Sequence, residues 1–123
     1  MTTRRGEPRG VWVTEEAFDA DGLIFAVSGE LDIATAPALR DRLTAAIDAG
    51  KLRLVIDLSA VSFLDSVALA TIVHAKQRLP AAARLALVID PSSYVMLVFQ
   101  SAGLATVIDL VRTRTQAIDV VSD

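Results

Sequence analysis

The 123-residue chain contains no cysteine, which excludes disulfides, thiolate-ligated zinc and a thiol switch. Histidine occurs once, as His74. A Ser-His-Asp hydrolase would have to pair it with Ser66, and both fall on one predicted helix, about 12 Å apart along its axis where a nucleophile and its base must approach within about 3 Å. His74 therefore reads as a partly exposed helix residue beside Lys76 and Arg78. Glycine is scattered at positions 6, 10, 22, 29, 50 and 103, with no cluster able to cradle a phosphate. Positive charge is also short: twelve Lys and Arg against fifteen Asp and Glu leave a net charge of −3, where a nucleic-acid binder needs clustered cations. No apolar run reaches the roughly 20 residues of a membrane span, because Asp65, His74 and Asp90 interrupt each candidate. Arg4 and Arg5 are followed by Gly6, Glu7, Pro8 and Arg9, where a signal peptide would need an apolar core. These absences predict a soluble, cytoplasmic protein that is not an enzyme, carries no cofactor, and binds neither nucleic acid nor membrane.

What is present is enough for one core. Hydrophobic residues make up 53% and charged residues 22%, far from the composition of disordered chains. Residues 1–10 hold three Arg, a Pro and two Gly and read as a loose arm; residues 11–123 read as one domain. Val11–Thr14 and Leu23–Val27 are β-rich runs separated by Asp19-Ala20-Asp21-Gly22, a hairpin signal. From Thr35, a candidate cap, Leu39, Leu43, Ala46 and Ile47 recur at helical spacing, with Pro37 in the first turn and Gly50 at the end. Leu52–Leu58 is an apolar strand, Ser66–Leu79 a helix stopped by Pro80, Leu85–Ile89 a buried strand. Ser92 or Ser93 opens a third helix that Gly103 closes. Thr106–Ile108 and Thr113–Val121 complete the order ββαβαβαβα as a short strand and a helix. Apolar strands alternating with helices imply an α/β fold: a mostly parallel sheet entered by an antiparallel hairpin.

Asp57 ends an apolar strand, as the phosphoacceptor of a response-regulator receiver does. That chemistry needs carboxylates for magnesium after the first strand and a lysine after the last. Thr14, Glu15 and Glu16 instead precede a hairpin turn, and Ile108 runs into Asp109. The concentrated signal is Phe63-Leu64-Asp65-Ser66, where a buried strand meets a helix. Asp65 or Ser66 serves as N-cap, and capping alone accounts for both residue types. The alternative is a switch: the positive helix end and its free N–H groups would stabilise a phosphate on Ser66, adding roughly −1.5 to −2 charges beside Asp65.

Three segments in order resemble the STAS family, and within it the bacterial anti-sigma factor antagonists. They are Gly29-Glu30-Leu31-Asp32 with Thr35-Ala36-Pro37 and Leu39; Leu54-Val55-Ile56-Asp57-Leu58-Ser59 with Val61, Phe63-Leu64-Asp65-Ser66 and Leu69; and Gly103-Leu104. The resemblance implies a partner-switching protein. Its unphosphorylated form would bind an anti-sigma factor of the histidine-kinase-like ATPase type. That kinase would phosphorylate Ser66 and end the contact, and a phosphatase would reset it. Asp32, Thr35, Asp65, Ser66, Val67 and Ala68 would form the partner-binding site. Val67 and Ala68 depart from the family pattern, which continues with Ser or Thr and then Gly; a Cβ at 68 would narrow the approach of a partner backbone. Divergent relatives act without phosphorylation as scaffolds or adaptors, and that alternative stands beside the switch. Finally, Val95-Met96-Leu97-Val98-Phe99 is more apolar than a helix on a sheet requires. Either neighbouring elements cover it, or Met96, Val98 and Phe99 form a contact patch for a partner or a weak homodimer.

Overall fold

A computed structural model describes residues 10–123. Apart from Gly10, the arm expected over residues 1–10 lies outside the described residues. The elements are β1 (Val11–Asp19), β2 (Gly22–Leu31), α1 (Ala36–Asp48), β3 (Arg53–Leu64), α2 (Ser66–Arg78), β4 (Arg84–Val88), α3 (Tyr94–Ser101), β5 (Asp109–Val111) and α4 (Arg114–Ser122), with a 3₁₀ turn at Leu104–Thr106. The strands lie side by side in chain order; β1 is antiparallel to β2 and all later pairs are parallel. This is the α/β sheet entered by a hairpin that the pattern predicts.

One face of the sheet carries Val11, Val13, Phe25, Val27, Leu54, Ile56, Leu85 and Leu87, and it is sealed by Leu39 and Leu43 of α1, Ile72 of α2, and Val95 and Phe99 of α3. The other face has a smaller cluster, in which Ala117 and Val121 of α4 cover Ile24, Val55, Ala86 and Val88. Each large side chain so buried is worth about 2 kcal/mol, and the two-sided burial of β3 and β4 explains their continuous apolar runs.

The structure differs from the sequence reading in several places: β1 continues past Thr14 to Asp19 and β2 past Val27 to Leu31. β3 runs six residues past Leu58, to Leu64. Its pairing with β2 slips twice, between Ala26↔Asp57 and Ser28↔Ala60 and again between Gly29↔Val61 and Glu30↔Phe63, so two bulges break the alternation a pattern reading needs. The last strand is Asp109–Val111 and not Thr106–Ile108. Gly103, at φ +72°, ends α3 in the left-handed region, and the 3₁₀ turn then buries Ile108 in the core before pairing with β4 begins. Thr35 precedes α1 but gives it no side-chain cap.

Candidate functional site

β2 and β3 extend beyond the last β3–β4 pair, Asp57↔Val88, and carry two connections to the same end of the sheet. The loop 32–35 leaves β2, and α2 begins one residue after β3. Asp65 joins them. One carboxylate oxygen accepts the Ala68 N–H at 2.9 Å, capping α2, and the other accepts the Ile33 N–H at 3.0 Å, holding the loop. Asp32 braces that loop from within: its Oδ1 accepts the N–H groups of Ala34 at 2.9 Å and Thr35 at 3.0 Å. The Thr35 hydroxyl donates to the Glu30 carbonyl at 2.7 Å and accepts the Asp32 N–H at 2.9 Å. That is why it caps nothing: its lone pairs and proton are spent closing the loop that Asp32 starts.

Ser66 is the first residue of α2 and is exposed, and its hydroxyl has no hydrogen-bond partner among the described residues. The N–H groups of the first turn point the same way, so this end of α2 carries the positive pole of a helix with Lys76 and Arg78 at its other end. His74 is exposed further along α2.

Two of the expected contact residues are turned inward. Thr35 is buried in its own network, and Ala68 is 1% exposed, its methyl packed in the core. A Cβ at 68 therefore does not narrow the approach of a partner; of the two departures from the family pattern, only Val67 faces outward. The expected patch on α3 is likewise corrected. Phe99 is fully buried and Met96 is half-buried against the core; of the expected patch, Val98, half-buried, lies on the outward side with Tyr94, 51% exposed, and Leu97, 58% exposed. A helix of 100° per residue places 95 and 99 on one side and 94, 97, 98 and 101 on the other. Tyr94 stacks on Phe63 with ring centroids 5.9 Å apart and planes 9° apart. Phe63 enters the sequence reading only within Phe63-Leu64-Asp65-Ser66, with no contact role, and Tyr94 and Ile33, the latter 70% exposed at the loop tip, are not singled out there. An apolar residue lodged in the polar stretch Asp32–Thr35 was the one legible signal for Ile33.

Asp57, inside β3 at the last pair with β4, lies on the α4 face. It is almost fully buried and accepts the Ser59 hydroxyl at 2.6 Å, the Ser59 N–H at 2.9 Å and the Arg114 Nε at 2.7 Å. Burial acts to raise its pKa, but the Ser59 hydroxyl and Arg114 outweigh burial and hold it below the ordinary carboxylate value. It fastens α4 to the sheet. Among the described residues no three His, Asp or Glu side chains converge as metal ligands do, and no helix is long and apolar enough to cross a membrane.

Comparison with curated proteins finds no match. Among solved structures, the chain is similar to an anti-sigma factor antagonist from Mycobacterium paratuberculosis, at 31% identity over 94% of this chain and 97% of that one, with a TM-score of 0.85. It is also similar to the Bacillus cell fate determinant SpoIIAA in its phosphorylated form, at 26% identity over 89% and 98% of the two chains and a TM-score of 0.69. Unphosphorylated SpoIIAA, an anti-sigma factor antagonist 24% identical, shares the fold at a TM-score of 0.69 over 89% of this chain and 96% of that one. The sequence model of the STAS domain matches residues 12–117, from the first strand into the last helix. With the hairpin-led sheet, the loop braced by two aspartates and a helix opening on Ser66 all inside that span, the chain belongs to the STAS domain family.

Proposed function

We propose that this protein is an anti-sigma factor antagonist that switches partners through Ser66. In the unphosphorylated state it binds, in the cytoplasm, an anti-sigma factor of the histidine-kinase-like ATPase type and so frees a sigma factor. The bound kinase then transfers the γ-phosphoryl group of its own ATP to the Ser66 hydroxyl oxygen. A new P–O bond forms there, the bond to the β-phosphate breaks, ADP departs, and the hydroxyl proton passes to a base on the kinase. A phosphatase hydrolyses the ester and returns the serine with inorganic phosphate. The protein acts by binding and not by catalysis.

The observation that carries this reading is the exposed Ser66 hydroxyl in the first turn of α2, without a hydrogen-bond partner among the described residues. The helix pole there favours an anion, and Asp65 and the loop it holds make a rigid surface around it. Asp32, Asp65 and Ser66 form the polar part of the contact, and Val67 adjoins it as an exposed apolar side chain. A dianion placed in that contact without a counter-ion costs several times RT.

One feature favours a second reading. The outward Val67 stands where the family pattern has a hydroxyl, and a chain that no kinase modifies would act as a constitutive scaffold or adaptor. Incubation with the cognate kinase and ATP followed by mass spectrometry separates the two. Phosphate on Ser66, with Ser66→Asp binding the kinase at least tenfold more weakly and Ser66→Ala binding as the parent, supports the switch. Intact binding with Ser66 unmodified puts the scaffold in its place.

A further inference from the structure

We propose that the contact with the anti-sigma factor continues from Ser66 across the groove between the start of α2 and the outer face of α3, and that this groove receives the apolar face of a helix from the same partner. This inference rests on the partner named above. Five of the six exposed large hydrophobic residues among the described residues are Ile33, Phe63, Val67, Tyr94 and Leu97. Val67 adjoins Ser66, and the Ile33 amide is bonded to Asp65. Phe63, Tyr94 and Leu97 line, together with Ser66 itself, Leu69 and Val98, a shallow groove of about 620 Å³. Soluble domains keep contiguous apolar surface of this kind for contacts.

The shape of the groove selects its occupant. Tyr94, Leu97 and Val98 stand at i, i+3 and i+4 on α3, and the small Ser101 and Ala102 follow at its far end. Such a row of side chains beside an open trough is the surface into which a second helix packs its own i, i+3, i+4 row. α3 is thus apolar on two sides, with Val95 and Phe99 toward the sheet and Tyr94, Leu97 and Val98 toward the partner. That accounts for a run of five apolar residues that core packing alone does not require. The stack of Tyr94 on Phe63 fixes both rings before binding, which lowers the entropic cost of docking on them.

Charge argues against a second copy of this chain. The only charged lining residue is Asp65, and Asp32 supports the adjoining loop; a two-fold contact through this surface would set carboxylates near carboxylates. Charge also limits the partner. A cation opposite Ser66 would turn phosphorylation into an attraction, so the helix must present uncharged, apolar side chains there.

The test titrates the purified, fluorescently labelled anti-sigma factor with the parent protein and with Tyr94→Ala, Leu97→Ser, Ser66→Asp and the control Val107→Ser, the last altering an exposed hydrophobic that neither lines the groove nor adjoins Ser66 or Asp65. Urea midpoints read from Trp12 fluorescence establish that each variant is folded. Tyr94→Ala and Leu97→Ser should each weaken binding by about tenfold or more, with Val107→Ser unchanged. If both groove variants bind as the parent while Ser66→Asp binds weakly, the groove proposal is wrong and the switch stands. If the groove variants bind weakly and Ser66→Asp does not, the groove stands and the switch falls. No binding by the parent removes both. A parent that sediments as a dimer which Leu97→Ser dissociates would make a second copy the occupant and overturn the proposal.

Discussion

Replacing Asp65 tests whether one carboxylate organises the site. It accepts two backbone N–H groups, from Ala68 in α2 and Ile33 in the loop 32–35. Asp65→Ala removes an N-cap, worth about 1 kcal/mol, and a negative charge at the helix N-terminus, worth about 0.5 kcal/mol. It also removes a charge-assisted bond to an amide that water can still reach, for which about 1 kcal/mol is a fair share of the usual range. The sum is about 2.5 kcal/mol. With a urea m-value of about 1.5 kcal/mol/M, the midpoint should fall by about 1.7 M, and the single tryptophan, Trp12 on β1, is the fluorescent reporter. Asp65→Asn makes the argument sharper. An amide keeps one acceptor and turns the other into a donor facing an N–H, so it retains at most one of the two bonds and should lose about half as much. Hydrogen exchange should then show faster exchange at Ile33 or Ala68 according to which bond is given up. A loss below about 0.5 kcal/mol for Asp65→Ala, or equal losses for Ala and Asn, would refute the two-bond account.

Arg114→Ala should destabilise the fold by about 1.5 kcal/mol at pH 7, because it strips one partner from the buried Asp57. Since the folded-state pKa of Asp57 is lowered, its contribution is complete above the ordinary aspartate value and is lost as pH falls through the folded value. The gap between parent and variant in urea melts should therefore narrow as pH falls below the ordinary aspartate value; a gap as wide in strong acid as at pH 7 would show that the ion pair is not its source. Gly29→Ala should cost about 2 kcal/mol or more, since Gly29 has φ +99° and a Cβ there would collide with the Gly10 carbonyl oxygen, which accepts the Glu30 N–H at 2.6 Å. Gly50→Ala, at φ +81° with open space around it, should cost only about 1 kcal/mol, and equal thermal shifts for the two would contradict the steric reading.

The chain's local pattern determines the element order and the sheet. Period-two runs such as Val11–Val13, continuous runs such as Leu54–Leu58 and Leu85–Ile89, and the helical spacing of Leu39, Leu43 and Ala46 depend on near neighbours only, and each of these elements forms where the pattern places it. The same holds for Asp65-Ser66 as a helix start, because a cap is a contact across three residues. Tertiary structure decides the rest. The two bulges that carry β3 on to Leu64 arise from its pairing with β2, a strand more than twenty residues away, so Leu58 is as far as the continuous apolar run can be followed. Whether an apolar side chain in Val95–Phe99 is core or surface depends on the angle at which α3 meets the sheet; that angle turns Phe99 in and Leu97 out. Thr35 and Ala68 look like surface residues in a motif until the fold closes over them. The bond from Asp65 to the Ile33 amide spans 32 residues, and it ties the loop 32–35 to the start of α2, beside Ser66 and the aromatic groove. No periodicity records such a bond, because its two ends share no local geometry until the parallel strands β2 and β3 lie side by side.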